Sequence, residues 1–124
     1  MTAWSADELD TLEHAEELEI ASRRPDGTLR PYATIWAVRL GDGVYVRSAH
    51  GPENPWYARA RTAGQGRIRS GGVERDVTFS TPGPDVAGPI TARIHAKYDR
   101  FGAPLVDPIV SEAAVRSTLR IDPV

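Results

Sequence analysis

The stretch LEIASRRPDGTLRPYATIWAVRLGDGVYVRS, residues 18–48, decides the fold class. Its opening segment, Leu18 to Ser22, alternates apolar and polar side chains, the period of a half-buried strand. Pro25-Asp26-Gly27 predicts a turn, because Pro presets φ and Gly takes the positive φ. Tyr32 to Leu40 predicts a second strand, rich in β-branched and aromatic residues. Gly41-Asp42-Gly43 then turns the chain into a third, Val44 to Ser48. Three strands joined this way make a meander.

Working outward, Ser5-Ala6-Asp7-Glu8 fits a capping box and opens a helix over about Ala6 to Glu16. Seven acids and no Lys or Arg lie between Asp7 and Glu19, which reads as a solvated helix face with its early acids suiting the dipole. Beyond the meander, Asn54-Pro55 predicts a helix start, with Asn54 as N-cap and Pro55 at the first position. This helix runs to about Thr62 and stops at Gly64. Arg67 to Ser70, Gly71-Gly72 and Val73 to Ser80 predict a second hairpin. Val86, Ile90, Ile94, Tyr98 and Phe101 share one face of a helix from about Asp85 to Phe101, with Pro89 tolerable only in its first turn. A short turn or helix around Pro108 to Ala114 precedes a last strand, Val115 to Ile121. Six strands with few helices and tight turns predict a mainly β domain with flanking helices, a small antiparallel barrel spanning residues 1–124.

Composition narrows the function. A chain of 124 residues, 40% hydrophobic and 26% charged, suits one globular domain and argues against disorder. The absence of cysteine excludes disulfides, thiolate metal sites and a cysteine nucleophile. A net charge of −2 provides no global field toward nucleic acid or membrane, and no apolar run is long enough to span a bilayer. The expected setting is cytoplasmic, with a small-molecule partner. His14, His50 and His95 share no metal-ligand spacing, so no metal site is expected. Fourteen arginines accompany the single lysine, Lys97.

The stretch from Val44 to Arg61 carries the most chemistry. A strand ends in Arg47-Ser48, a Gly/Pro loop follows, and a helix opens at Asn54. A helix N-terminus offers free N–H groups and positive potential, and Arg47 and Ser48 add a guanidinium fork and a hydroxyl, a combination suited to phosphate. Trp56 and Tyr57 could wall a planar ring or close the barrel end. An equally simple account has Trp56 capping the core and the arginines forming a solvated face. A partner-binding surface would serve as well.

Several segments resemble the domain of unknown function 2255 family. They are Leu18-Glu-Ile-Ala-Ser-Arg-Arg-Pro-Asp-Gly27, Ile35-Trp-Ala-Val-Arg39, Tyr45-Val-Arg-Ser48, Trp56-Tyr57, Gly71-Gly-Val-Glu-Arg-Asp-Val77 and Lys97-Tyr98. The resemblance covers nearly the whole chain. It implies a six-stranded split β-barrel of the flavin-binding superfamily, which includes pyridoxamine-phosphate-oxidase-like proteins and deazaflavin-dependent nitroreductases. The run from Ser48 through Asn54-Pro55-Trp56-Tyr57 also resembles the nitroreductase segment that grips the cofactor phosphate, although its loop lacks a lysine.

Three functional expectations follow. The first is an FMN- or deazaflavin-binding oxidoreductase-like homodimer, with Arg47, Ser48, Asn54, Trp56 and Tyr57 at the phosphate and Trp36 and Trp56 near the ring. The second is a cofactor-independent isomerase or cyclase, with Tyr32, His50, Tyr57, Lys97 or Tyr98 in acid–base roles. The third is a non-catalytic ligand- or haem-binding module, with His50 as axial ligand.

Overall fold

The capping box forms as its residues dictate. In the computed structural model, which describes residues 3–124, Ser5 Oγ accepts from Glu8 N–H at 3.1 Å and Glu8 Oε1 accepts from Ser5 N–H at 2.9 Å. Helix α1 (Ala6–His14) ends two residues before the Glu16 that the pattern predicts, because Ala15 turns extended at φ −68°, ψ 132°.

Seven strands follow instead of six: β1 (Leu18–Ser22), β2 (Ala33–Ile35), β3 (Ala37–Leu40), β4 (Gly43–Arg47), β5 (Gln65–Ser70), β6 (Val73–Ser80) and β7 (Thr118–Pro123). The extra one comes from a break at Trp36 inside the expected Tyr32–Leu40 strand. Its cause lies at Ala37, whose N–H donates to the Tyr98 hydroxyl at 3.2 Å and whose carbonyl accepts from Lys97 Nζ at 2.7 Å. Both of its backbone groups are held by the end of helix α3 (Ala87–Tyr98) while Ala37 pairs with Val46, so the chain leaves β1 after Ile35 and joins β4 from Ala37 on.

All strand pairs are antiparallel, in the order β2-β1-β5-β6-β7-β4-β3. The two outermost strands are consecutive in the chain and joined by Trp36 alone. The sheet therefore curls until its edges meet, and the barrel is split at that residue.

Inside lie Leu18, Ile20, Val44, Val46, Ile68, Val77, Leu119 and Ile121, joined by Leu9 and Leu12 of α1 and by Tyr57 and Ala60 of α2 (Pro55–Ala63). A second cluster forms on the outer face, where Ile90, Ile94 and Tyr98 of α3 cover Val38 and Tyr45. Strand β4 is consequently buried along its whole length, Val44 and Val46 facing in and Tyr45 facing out. Burying each of Ile90 and Ile94 contributes about 1.5–3 kcal/mol.

Helix α3 is shorter than the predicted Asp85–Phe101, because single 3-10 turns at Pro84–Val86 and Asp99–Phe101 take its two ends. Helices α4 (Ala103–Val110) and α5 (Glu112–Val115) fill the segment after it, and Ser111 caps α5 by accepting from Ala114 N–H at 3.2 Å. That short helix takes Val115, so β7 starts later than expected. No helix among the described residues is long and apolar enough to cross a membrane.

Candidate ligand cleft

The barrel split opens into a cleft of about 670 Å³. Trp36, Arg47, His50, Asn54 and Trp56, five of the residues singled out from the sequence, line it together. Phe101, Leu105 and Ile109 extend its apolar wall, and Glu16 and Glu17 bring negative charge to its border. A cleft of this size, mostly apolar with a few placed polar groups, suits a small organic ligand. Trp36 is fixed from behind, its ring stacked on Tyr98 with centroids 4.0 Å apart and planes 5° apart. Trp56 stands edge-on to Tyr57.

Arg47 is 2% exposed and joins four segments. Its Nε donates to Thr118 Oγ1 at 3.2 Å, Nη1 to Thr91 Oγ1 at 2.8 Å and to Ile109 O at 3.4 Å, and Nη2 to Ala87 O at 2.8 Å. Every partner is neutral, and no carboxylate pairs with Arg47 among the described residues. Burial pulls its pKa below the usual arginine value. A guanidinium nonetheless keeps its proton, so a desolvated positive charge sits in the cleft wall without a counterion. Of its five N–H groups, these contacts leave one, on Nη2, for anything else.

The loop between β4 and α2 is held by Ser48, which is fully buried and whose hydroxyl donates to Gly51 O at 2.5 Å. That hydroxyl thus shapes the loop instead of facing the cleft. His50 is exposed at the cleft border with φ 65°, the one positive φ outside glycine among the described residues. A left-handed conformation costs a residue with a Cβ about 1–2 kcal/mol, and its N–H is tied to Pro108 O at 3.3 Å. Asn54 occupies the N-cap of α2, but its side chain makes no capping bond. Its amide is left to face the cleft with the first turn of the helix, where the dipole favours anions.

Four other candidates lie outside the cleft lining. Tyr57 is buried in the barrel interior. Tyr32 lies under the Arg69 guanidinium, 3.9 Å from its ring centroid. Tyr98 is buried, its hydroxyl donating to Glu16 O at 2.7 Å, and burial pushes its pKa up to about 12. Lys97 donates to Leu12 O at 3.2 Å and Ala37 O at 2.7 Å, beside a separate groove shared with Glu13, Arg39 and Arg93. Burial lowers its pKa to about 8. Together Lys97 and Tyr98 tie the end of α1 to the strand break, which fixes Trp36 from behind. Phe101, Leu105 and Ile109 were missed as wall residues because their apolar side chains carry no signal that separates a cleft from a core.

A family described as "Uncharacterized protein conserved in bacteria (DUF2255)" matches residues 8–121 of the chain. No curated protein matches. Among solved structures, one titled "F420 Reductase" superposes with a TM-score of 0.59 at 15% identity, covering 93% of this chain and 91% of that one. A conserved hypothetical protein, Rv2991 from Mycobacterium tuberculosis, gives 0.61 at 13% identity, covering 99% and 81%. An FAD and heme binding protein from Mycobacterium smegmatis gives 0.51 at 18% identity, covering 94% of this chain and 64% of that one. At these identities the likeness is one of fold, the split barrel with flanking helices.

Proposed function

The chain belongs to the domain of unknown function 2255 family, and from that premise we propose that its cleft binds a flavin-type cofactor, FMN or a deazaflavin. The protein is then an oxidoreductase-like homodimer acting on a small molecule. The observation that carries this reading is the buried Arg47 charge, unpaired by any acid among the described residues, in a cleft walled by Trp36 and Trp56. Solved structures of the same fold are named for F420 reduction and for FAD and heme binding.

The residues present fit such a group. Trp36, held flat by Tyr98, and Trp56 provide apolar faces for a planar ring. The opening turn of α2 with the free Asn54 amide suits a phosphate, while Arg47 contributes its field and one remaining N–H. Arg47 therefore acts mainly by holding the wall and setting its potential. A bound cofactor of this type supplies hydride chemistry, and the side chains here orient it and exclude water.

The test is a visible absorbance spectrum of the purified protein, followed by titration with FMN and then a deazaflavin, with the particle mass measured alongside. Saturable uptake is expected, weakened about tenfold by Trp56→Ala, in line with about 1.5 kcal/mol of lost ring contact. No absorbance and no uptake of either cofactor overturns the reading.

One observation favours a second reading. His50 holds a costly backbone conformation at the cleft border, and such strain gathers at functional sites. With no cofactor, His50 would move a proton in an isomerisation or cyclisation of a small metabolite. With haem, it would be the axial ligand, and the same spectrum would then carry a Soret band.

A further inference from the structure

A second concavity, about 500 Å³, lies between the β1–β2 connection and helix α2. Arg23, Arg24, Arg30 and Arg59 line it, no acid does, and Pro25, Ala58 and Ala63 add apolar surface to its walls. We propose that this groove is a binding site for a small polyanion carrying several closely spaced phosphoryl or carboxylate oxygens, distinct from the Trp36–Trp56 cleft.

Two of the guanidinium groups are held in place by the fold. Arg23 donates to Gly27 O at 2.8 Å and to Asp76 at 2.8 Å. Arg24 donates to Leu29 O at 2.9 Å and to Thr28 Oγ1 at 3.3 Å. The turn that follows them is itself fixed by Asp26, whose carboxylate accepts from Thr28 N–H at 3.0 Å and from its hydroxyl at 2.7 Å. The other two, Arg30 and Arg59, make no side-chain hydrogen bond or ion pair among the described residues. They come from different elements and face one groove.

Simple surface charge accounts for this poorly. On the neighbouring strands β5 and β6 the arginines pair with carboxylates, Arg67 with Glu74 and Asp76, Arg69 with Glu19, and Arg75 with Glu8. Here only Arg23 has a carboxylate, and it shares that one with Arg67. Capping of α2 is no explanation either, since none of the four donates to a carbonyl of that helix. Four guanidinium groups gathered around one shared carboxylate and the nearby Asp26 leave an excess of positive charge, and an anion offsets it while satisfying the planar donor forks. In a chain of net charge −2 the attraction is local and specific to the groove.

The test is calorimetric titration of the full chain with tripolyphosphate and, separately, with citrate, at about 50 mM and about 200 mM salt. Saturable binding at the lower salt, weaker at the higher, is expected, and the preferred anion identifies the source of the oxygens. The double variant Arg30→Ala/Arg59→Ala should lose about tenfold or more in affinity. Both side chains are without partners, so the melting temperature should barely change. Trp56→Ala should bind the anion as the parent does, which separates this site from the cleft and from the fate of the flavin reading. Absence of saturable binding at the lower salt, or equal affinity in the double variant, overturns the proposal.

Discussion

Two cations, Arg47 at the end of β4 and the half-buried Lys97 of α3, are withdrawn from water for different purposes. Arg47 keeps its charge whatever the pH and commits all but one of its N–H groups to neutral partners. Lys97 can shed its charge. Its ammonium loses hydration by burial and titrates at about 8 in the folded protein, against 10.5 when unperturbed. Below pH 8 both states hold the proton and the burial penalty is constant. Between about 8 and 10.5 the unfolded chain holds more of it, so raising the pH stabilises the fold. The neutral amine still has two hydrogens for Leu12 O and Ala37 O, so the link to α1 survives. Tyr98 acts in the opposite sense and later: its pKa is raised to about 12 from 10.0, so its contribution is lost as pH climbs through that range. Denaturation at pH 7.5 and 9.5 should therefore show the parent gaining stability relative to Lys97→Met. An unchanged difference between the two proteins would contradict this account of Lys97.

At the scale of elements, glycines separate packing from propensity. Gly66 in β5 lies so close to β1 that a Cβ would collide with the Ala21 carbonyl oxygen and press on Phe79. Both neighbours are fixed, one as backbone and one as core, so Gly66→Ala should cost about 1–3 kcal/mol. Gly88 in α3 has an ordinary φ and no atom beyond its chain neighbours within 4 Å of its Cβ position. There a less flexible unfolded chain favours the same change by about 0.4–1 kcal/mol, but a Cβ on a helical residue meets the ring of the following Pro89, so Gly88→Ala should be close to neutral. Urea denaturation of the two variants checks the contrast, a clear loss for Gly66→Ala against almost no change for Gly88→Ala.

The same contrast explains what could be read from residues alone. Local rules held where the cause was local: the Ser5/Glu8 box, Pro55 opening α2, Gly64 ending it at φ 70°, and the Gly71-Gly72 hairpin. The break at Trp36 could not be read, because it depends on Lys97 and Tyr98, about 60 positions away and on another element. The cleft was half readable. Arg47, Trp36 and Trp56 stood out by type and do converge, whereas the consumption of Arg47 and Ser48 in internal bonds rests on partners with no shared motif. Lys97 and Tyr98 attracted attention as acid–base residues, and their contacts with Leu12, Glu16, Ala37 and the Trp36 ring, which no motif announces, place them behind the cleft wall.

For the whole molecule, the decisive feature is where the last strand lies. β7 pairs with β6 on one side and β4 on the other, in the interior of the sheet order. Without it the barrel falls into a four-stranded piece, β2-β1-β5-β6, and the β4-β3 hairpin. No strand pairing would then join the two, and the link through Trp36 is covalent only. β7 also contributes Leu119 and Ile121 to the interior and accepts the Trp4 indole N–H on Ile121 O at 3.0 Å, closing the chain's two ends on each other. Arg47 loses its Thr118 partner at the same time. These contacts span most of the sequence, so their loop-closure cost is met only when the final strand docks. A chain ending at Ser117 should therefore lack a cooperative unfolding transition by circular dichroism, whereas the full chain melts in one step. A truncated chain that still melts cooperatively would mean that the interior cluster, and not strand pairing through β7, holds the two halves of the barrel together.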